Sequence, residues 1–178
     1  MSEIPKYIGR RFDQISFVVR DLDEAMEFWR RTNGIEAWDK AIDLAKSQTE
    51  KEYWGKPGNF QFSCAYGFAG DTLIELARHD GGDSIYKEWL DQHGVGPHHV
   101  GFRFEDEAEY NRAQSDYLAA GLVKAMGGFF KGPHGDCRWS YWDTRKQIGC
   151  YTELYYLTGE LAARLARLKA GEAVSITF

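Results

Sequence analysis

Four polar side chains interrupt segments that are otherwise typical of buried β-strands. They are Gln14 in FDQISFVV, Glu75 in DTLIEL, His99 in HHVGFRF and Glu153 in YTELYYL. A buried, isolated carboxylate is costly unless it is paired, protonated or bound to a metal. Two carboxylates, one imidazole nitrogen and one amide oxygen are donors that a divalent cation accepts, and the two negative charges would neutralise it. The residue types therefore indicate a divalent metal site.

Each of these residues also has an ordinary structural interpretation. A glutamate in a strand more often faces solvent, a lone histidine is more often a core or surface residue, and Gln14 could simply form hydrogen bonds. His98 competes with His99, but strand alternation predicts that their rings lie on opposite faces. The metal interpretation gains support from placement, because each half of the chain supplies one residue from its first predicted strand and one from its last.

The predicted elements that would position these residues occur in the same order twice. A strand, a helix and two further strands are predicted in module one, about residues 11–80, and again in module two, about residues 96–157. A helix over 83–94 separates the modules, and an amphipathic helix over about 159–170 follows them. Each module alone would leave one sheet face uncovered, so we expect all 178 residues to form one α+β domain with a shared interior.

A second group of residues is a set of candidates for substrate binding. Arg103 shares a strand face with His99 and would hold an anionic group or form a structural ion pair. His134 would line the mouth of the site or lie in a solvated turn. Four aromatic residues would form a cavity wall or simply belong to the core: Phe129, Phe130, Trp139 and Tyr141.

Two segments are predicted without regular strands. The glycine-rich segment 127–135 is interpreted as a mobile lid over the site. The polar, mixed segment 39–58 is predicted to be either a short helix or a mobile loop.

Composition excludes several classes of protein. The 22 Lys and Arg against 27 Asp and Glu give a net charge of −5, and the basic residues are scattered, so nucleic-acid binding is disfavoured. No apolar run has the length of a signal sequence or a membrane span, so no membrane partner is expected. The 3 cysteines do not form a disulfide framework or a zinc knuckle. A reducing, cytoplasmic location is the simplest expectation.

The quoted segments, together with the helix DLDEAMEFW after the first strand, resemble the vicinal oxygen chelate superfamily over roughly residues 11–157. This group includes glyoxalase I, methylmalonyl-CoA epimerase, extradiol dioxygenases and bleomycin-type resistance binders. The resemblance implies two paired βαβββ modules that form an open, barrel-like sheet around one divalent metal ion. Carried over by position, the metal ligands would be Gln14, Glu75, His99 and Glu153.

The resemblance implies a reaction as well as a fold. A Gln-Glu-His-Glu set resembles the glyoxalase I pattern, whereas DTLIEL and HHVGF are closer to the epimerases. Both branches remove a proton next to a carbonyl through a metal-stabilised enediolate. The expected function is therefore a metal-dependent isomerase or lyase acting on a small carbonyl substrate. Glu153 is the candidate catalytic base, with Glu75 as its near-symmetric partner.

The resemblance also leaves alternatives open. A non-catalytic small-molecule binding protein uses the same fold, and an iron-dependent ring-cleaving dioxygenase is a third candidate, against which Gln14 argues. Zinc, nickel, cobalt, manganese and iron all fit the ligand types. A homodimer is expected from the resemblance alone.

Overall fold

The computed structural model describes residues 12–172, in which two βαβββ modules follow one another. In chain order the strands are β1 (Phe12–Val19), β2 (Trp38–Ala41), β3 (Gln48–Tyr53), β4 (Lys56–Pro57), β5 (Gln61–Ala69), β6 (Thr72–Gly81), β7 (Gly96–Phe104), β8 (Lys124–Gly132), β9 (Gly135–Trp142) and β10 (Tyr151–Leu157). The α-helices are α1 (Leu22–Asn33), α2 (Ile85–His93), α3 (Glu107–Ala119), α4 (Arg145–Ile148) and α5 (Gly159–Lys169).

All these strands belong to one mixed, curled sheet in the order β2-β5-β6-β1-β7-β10-β9-β8-β3-β4. Within module one β1 pairs with β6 in parallel, and within module two β7 pairs with β10 in the same way. The modules meet where β1 and β7 run antiparallel. The predicted α+β architecture, a pair of βαβββ modules in an open barrel-like sheet followed by a C-terminal helix, is confirmed.

The two long crossover helices begin where the sequence places capping residues. An Asp21 oxygen accepts a hydrogen bond of 2.9 Å from the backbone N–H of Glu24, and an Asp106 oxygen accepts one of 2.8 Å from that of Glu109. Such caps satisfy backbone donors that the first turn leaves open. Helix α1 ends at Gly34, whose φ of 70° is the left-handed conformation that glycine adopts without strain. Both crossover helices therefore start at local capping signals, and α1 also ends at one.

In the part of the chain that the structure describes, three apolar clusters pack against the sheet. One cluster lies against α1 and includes Leu22, Ile74 and Leu76, and a second lies against α3 and includes Tyr110 and Leu154. The third and largest is rich in aromatic rings from both modules.

Within residues 12–172, no helix combines the length and the apolar character that a bilayer span requires.

The prediction for segment 39–58 is correct for a short helix but wrong in that most of the segment forms strands. The segment contains the end of β2, a short 3-10 helix at Leu44–Ser47, and the hairpin of β3 and β4. Strand β3 leaves its own module and pairs with β8 of module two, where Gln48 lies opposite Phe130. The strand therefore depends on a partner distant in sequence, which local composition does not reveal.

The predicted lid at 127–135 is also wrong, because most of the segment lies in β8. Glycine here makes room for a side chain of the neighbouring strand. A Cβ at Gly128 would come within 2.8 Å of the Trp139 indole, whose Nε1 donates a 3.0 Å hydrogen bond to Oε1 of Gln48. The glycines thus allow the indole to lie across β8.

Candidate metal site and adjoining cavity

The four predicted ligands converge from four consecutive strands of the sheet, β6, β1, β7 and β10. Gln14 lies on β1, Glu75 on β6, His99 on β7 and Glu153 on β10. Their side chains share one face because the registers align them: Gly101 lies opposite both Gln14 and Glu153. All four residues are buried, with exposed fractions between 1% for His99 and 7% for Glu153. The sheet therefore places two residues of each module at one buried point.

The cluster is held at hydrogen-bond distances. Nε2 of Gln14 lies 2.9 Å from Oε2 of Glu75, 2.8 Å from Oε2 of Glu153 and 2.9 Å from Nε2 of His99. Nε2 of His99 also lies 2.8 Å from Oε2 of Glu75 and 3.4 Å from Oε2 of Glu153. The four side chains thus surround a single position.

The pKa values of the two glutamates shift in opposite directions, although burial raises both and His99 lowers both. Burial lowers the pKa of His99, but Glu153 and Glu75 more than offset this and raise its pKa from 6.5 to about 9. Burial raises the pKa of Glu153, and His99 offsets this only in part. Burial also tends to raise the pKa of Glu75. The charge of His99 and the hydrogen bonds from His99 and Cys64 outweigh this effect, so the pKa of Glu75 is lowered overall. Glu153 is therefore the readier proton acceptor, and Glu75 the more stable anion.

The donor set fits a divalent cation. Candidate ligand atoms of Glu75, His99 and Glu153 all lie within 4.8 Å of one another, and they form a candidate metal-binding triad. Ligands at about 2.0–2.1 Å from a metal lie roughly 3 Å from their neighbours in the coordination shell, close to the separations found here.

Gln14 supplies a further observation in favour of a cation. Its amide nitrogen faces three acceptor positions, but an amide has only two hydrogens. When His99 is protonated, its Nε2–H also points at this amide nitrogen, so two donors oppose each other. Turning the Gln14 amide by half a rotation presents Oε1 instead, which would complete a set of one nitrogen and three oxygen ligands around a cation.

A cavity of about 120 Å³ adjoins the cluster. Gln14, Glu75 and Glu153 form one polar part of its wall, and the remainder is mostly apolar. Aromatic residues from both modules contribute to the lining: Phe62, Tyr66, Phe130, Trp139, Tyr141 and Tyr155. The candidate metal site therefore faces a small, largely aromatic space.

The predicted substrate-binding residues divide into two groups. Phe130, Trp139 and Tyr141 line the cavity. Arg103 lies in an adjoining depression, with its Nε 3.1 Å from Oδ2 of Asp13, and thus takes part in the ion pair that was the alternative interpretation.

The other two predicted residues lie away from the cluster. Phe129 packs against Arg138, whose guanidinium carbon lies 4.1 Å from the centre of the Phe129 ring. Nδ1 of His134 contacts an oxygen of Glu160 at 2.6 Å on the exposed surface. Neither residue is part of the wall of the cavity.

The C-terminal helix supplies a part of the cavity that the sequence analysis missed. Leu161, Arg164 and Leu165 of α5 line it together with Asp39 of β2, and Arg164 donates a hydrogen bond to Asp39. Both members of this ion pair are buried, at 5% and 3% exposure. Burial raises the pKa of Asp39, and the charge of Arg164 counteracts this in part. One signal was available, because Arg164 lies on the apolar stripe formed by Leu161, Leu165 and Leu168.

Comparison with solved structures identifies the same fold. The methylmalonyl-CoA epimerase from Mycobacterium tuberculosis is similar, with a TM-score of 0.62 and 18% identity, over 90% of this chain and 97% of that chain. A variant of the Streptomyces coelicolor methylmalonyl-CoA epimerase, in complex with 2-nitronate-propionyl-CoA, has a TM-score of 0.55 and 21% identity, over 82% of this chain and 96% of that chain. A hypothetical protein from Bacillus halodurans has a TM-score of 0.56 and 16% identity, over 82% of this chain and 93% of that chain. At such identities the likeness shows the fold.

Comparison at the level of sequence identifies the family. No curated protein matches the chain. A family model described as the Glyoxalase/Bleomycin resistance protein/Dioxygenase superfamily matches residues 13–141, which include Gln14, Glu75 and His99. The vicinal oxygen chelate resemblance is thereby confirmed, and the chain belongs to the glyoxalase/bleomycin resistance protein/dioxygenase superfamily.

Proposed function

We propose that this protein is a metal-dependent isomerase or lyase of the glyoxalase I or epimerase type, which removes a proton next to a carbonyl group. The observation that carries the proposal is the convergence of Gln14, Glu75, His99 and Glu153 on one buried position beside a cavity. These residues would hold one divalent cation, and the cavity would hold the substrate.

A bound divalent cation would polarise a carbonyl oxygen and stabilise the negative charge that develops on it. Glu153 would accept the proton from the neighbouring carbon, since it lines the cavity and is the glutamate of the pair whose pKa is raised in the metal-free fold. Glu75 would remain an anion and balance the charge. Return of the proton to the same carbon gives epimerisation, and delivery to the neighbouring carbon gives isomerisation.

The cavity supports a small substrate with an apolar or aromatic group. Its volume of about 120 Å³ is slightly below that of an engineered protein cavity of about 150 Å³ that binds benzene. Rings of Phe130, Trp139 and Tyr141 would contact such a group. The Asp39–Arg164 pair would offer the polar contacts on the side formed by α5.

Two further properties belong to the proposal. We propose a homodimer, which light scattering of the purified protein would establish or refute. We also propose a cytoplasmic location, and the three free cysteines, Cys64, Cys137 and Cys150, are in keeping with a reducing compartment.

The test combines metal analysis with proton exchange in heavy water. The purified protein is expected to bind one divalent metal and to catalyse deuterium incorporation next to the carbonyl of a probe compound, and a chelator should abolish this. Suitable probes are the hemithioacetal of phenylglyoxal and short 2-methyl-branched thioesters. Metal binding without exchange for any probe would contradict catalysis and favour a binding protein. Iron-dependent oxygen consumption with catechols would favour a dioxygenase.

A further inference from the structure

His98 lies beside His99 because of a β-bulge. In the antiparallel pair of β1 and β7, Ser16 is opposite His99 and Phe17 is opposite Pro97, which leaves His98 as an extra residue. A bulge breaks the alternation of side chains and redirects them locally. The expectation of opposite faces therefore fails: the two Nδ1 atoms are 2.9 Å apart, and the rings meet edge to face at 82°.

The bulged histidine is fixed by rings from two other elements. The His98 ring centre lies 5.0 Å from that of Tyr86 and 5.3 Å from that of Trp89, both on α2. It also lies 5.1 Å from the ring centre of Tyr151 on β10. His98 is fully buried, with 0% exposure. The surrounding rings leave its Nδ1 directed at His99.

The 2.9 Å contact between the two Nδ1 atoms requires one of them to donate a proton, and metal binding by His99 would determine which one. Nε2 of His99 points at the glutamates and is the candidate ligand atom, so it must offer a lone pair. The proton must then be on Nδ1, which needs an acceptor. In metal sites the outer nitrogen of a ligating histidine usually donates to such a partner, which fixes its tautomer and ring orientation.

We propose that His98 is the positioning residue of the metal site: its Nδ1 accepts the Nδ1–H of His99 and thereby directs Nε2 of His99 toward the cation. This inference rests on the proposed metal site and adds to it a residue that is not itself a ligand. It does not depend on the reaction that the site performs.

The competing explanation is that His98 only fills space among aromatic rings, and three variants separate the two. His98→Phe keeps a ring and removes the acceptor. His98→Asn places an amide oxygen near the former Nδ1 but loses the ring, and His98→Leu matches asparagine in size without an acceptor. Zinc affinity of each folded variant would be measured by competition with a chromophoric chelator, and folding would be checked by circular dichroism and melting temperature.

A positioning role predicts that zinc affinity falls about 10- to 100-fold in His98→Phe and His98→Leu, and that His98→Asn stays within about threefold of the unaltered protein. Equal affinity in His98→Asn and His98→Leu, or unchanged affinity in His98→Phe, would overturn the inference. If His98→Phe does not fold, the comparison of zinc affinity between His98→Asn and His98→Leu still tests the positioning role. Failure of the unaltered protein to bind zinc would overturn the metal site itself, whereas zinc binding without deuterium exchange would overturn only the proposed reaction.

Discussion

Gly101 lies directly opposite Gln14 in the strand pair that joins the two modules. A Cβ at Gly101 would come within 3.1 Å of Cβ and 3.2 Å of Cδ of Gln14. Because Gly101 has no side chain, there is space beside it for the side chain of Gln14, which is a candidate metal ligand.

Gly101→Ala is expected to displace the Gln14 amide and to weaken metal binding. Overpacking costs about 1–3 kcal/mol, and a cost of that size borne by the geometry of Gln14 corresponds to a loss of affinity of about 5- to 150-fold. The measurement is zinc affinity by chelator competition. Gly81→Ala is the control, because an added Cβ there finds its nearest atom at 3.6 Å. Equal affinity in both variants would show that Gly101 has no such role.

Glu153→Gln is expected to lower the rate of deuterium exchange by about 10²- to 10⁴-fold, even at saturating metal, because an amide cannot accept the proton. The matched variant, Glu75→Gln, should lose metal affinity but recover part of the exchange when metal is added in excess. The rates would be followed by proton magnetic resonance in heavy water. Full activity in Glu153→Gln rules out its assignment as the base.

Metal binding is expected to release a proton from His99. Its pKa is about 9 in the metal-free fold, so His99 is charged at neutral pH, and a cation must displace that proton. Apparent affinity should therefore rise about tenfold per pH unit below pH 9 and level off above it. Calorimetry in two buffers of different ionisation enthalpy counts the protons, and zero release at pH 7.5 would contradict the prediction.

The raised pKa of His99 also makes the stability of the metal-free protein sensitive to alkaline pH. Because the pKa of His99 is raised from 6.5 to about 9, its contribution to stability is complete below pH 6.5 and is lost as the pH rises through 9. Denaturant unfolding of the metal-free protein should show a decreasing free energy of unfolding across this window. Imidazole resonances would give the midpoint directly, and a midpoint at or below 6.5 would be incompatible with the ion-paired cluster.

Breaking the Asp39–Arg164 pair is expected to destabilise the packing of α5. Removal of one partner leaves a buried charge, which costs about 3–5 kcal/mol. Arg164→Met should therefore lower the melting temperature strongly, and addition of Asp39→Leu should restore part of the loss. Arg167→Met is the control, since Arg167 pairs with Glu172 on the exposed surface. Equal melting temperatures for the Arg164 and Arg167 variants would contradict a stabilising role.

The sequence was sufficient to predict the four clustered residues because each is polar within an apolar strand and each has a counterpart in the other module. Gln14 and His99 come from the first strands, and Glu75 and Glu153 from the last. The repeat carries this information, since two similar modules place equivalent positions close to one another.

Features that depend on distant pairing were not predictable in this way. Strand β3 is polar and is ordered by β8, where Oγ1 of Thr49 donates a hydrogen bond of 3.0 Å to the backbone oxygen of Phe129. The bulge at His98 is a property of the register between two strands. Arg164 stands out on its helix, but nothing local indicates Asp39 as its partner.

The pairing of β3 with β8 also affects the order in which the chain can fold during synthesis. The first module is complete in sequence at β6, but its β3–β4 hairpin pairs with a strand made only after α3. Contacts between distant segments form late because closing the intervening loop costs entropy. On the ribosome, residues 48–57 are therefore expected to remain without their strand partner until β8 emerges.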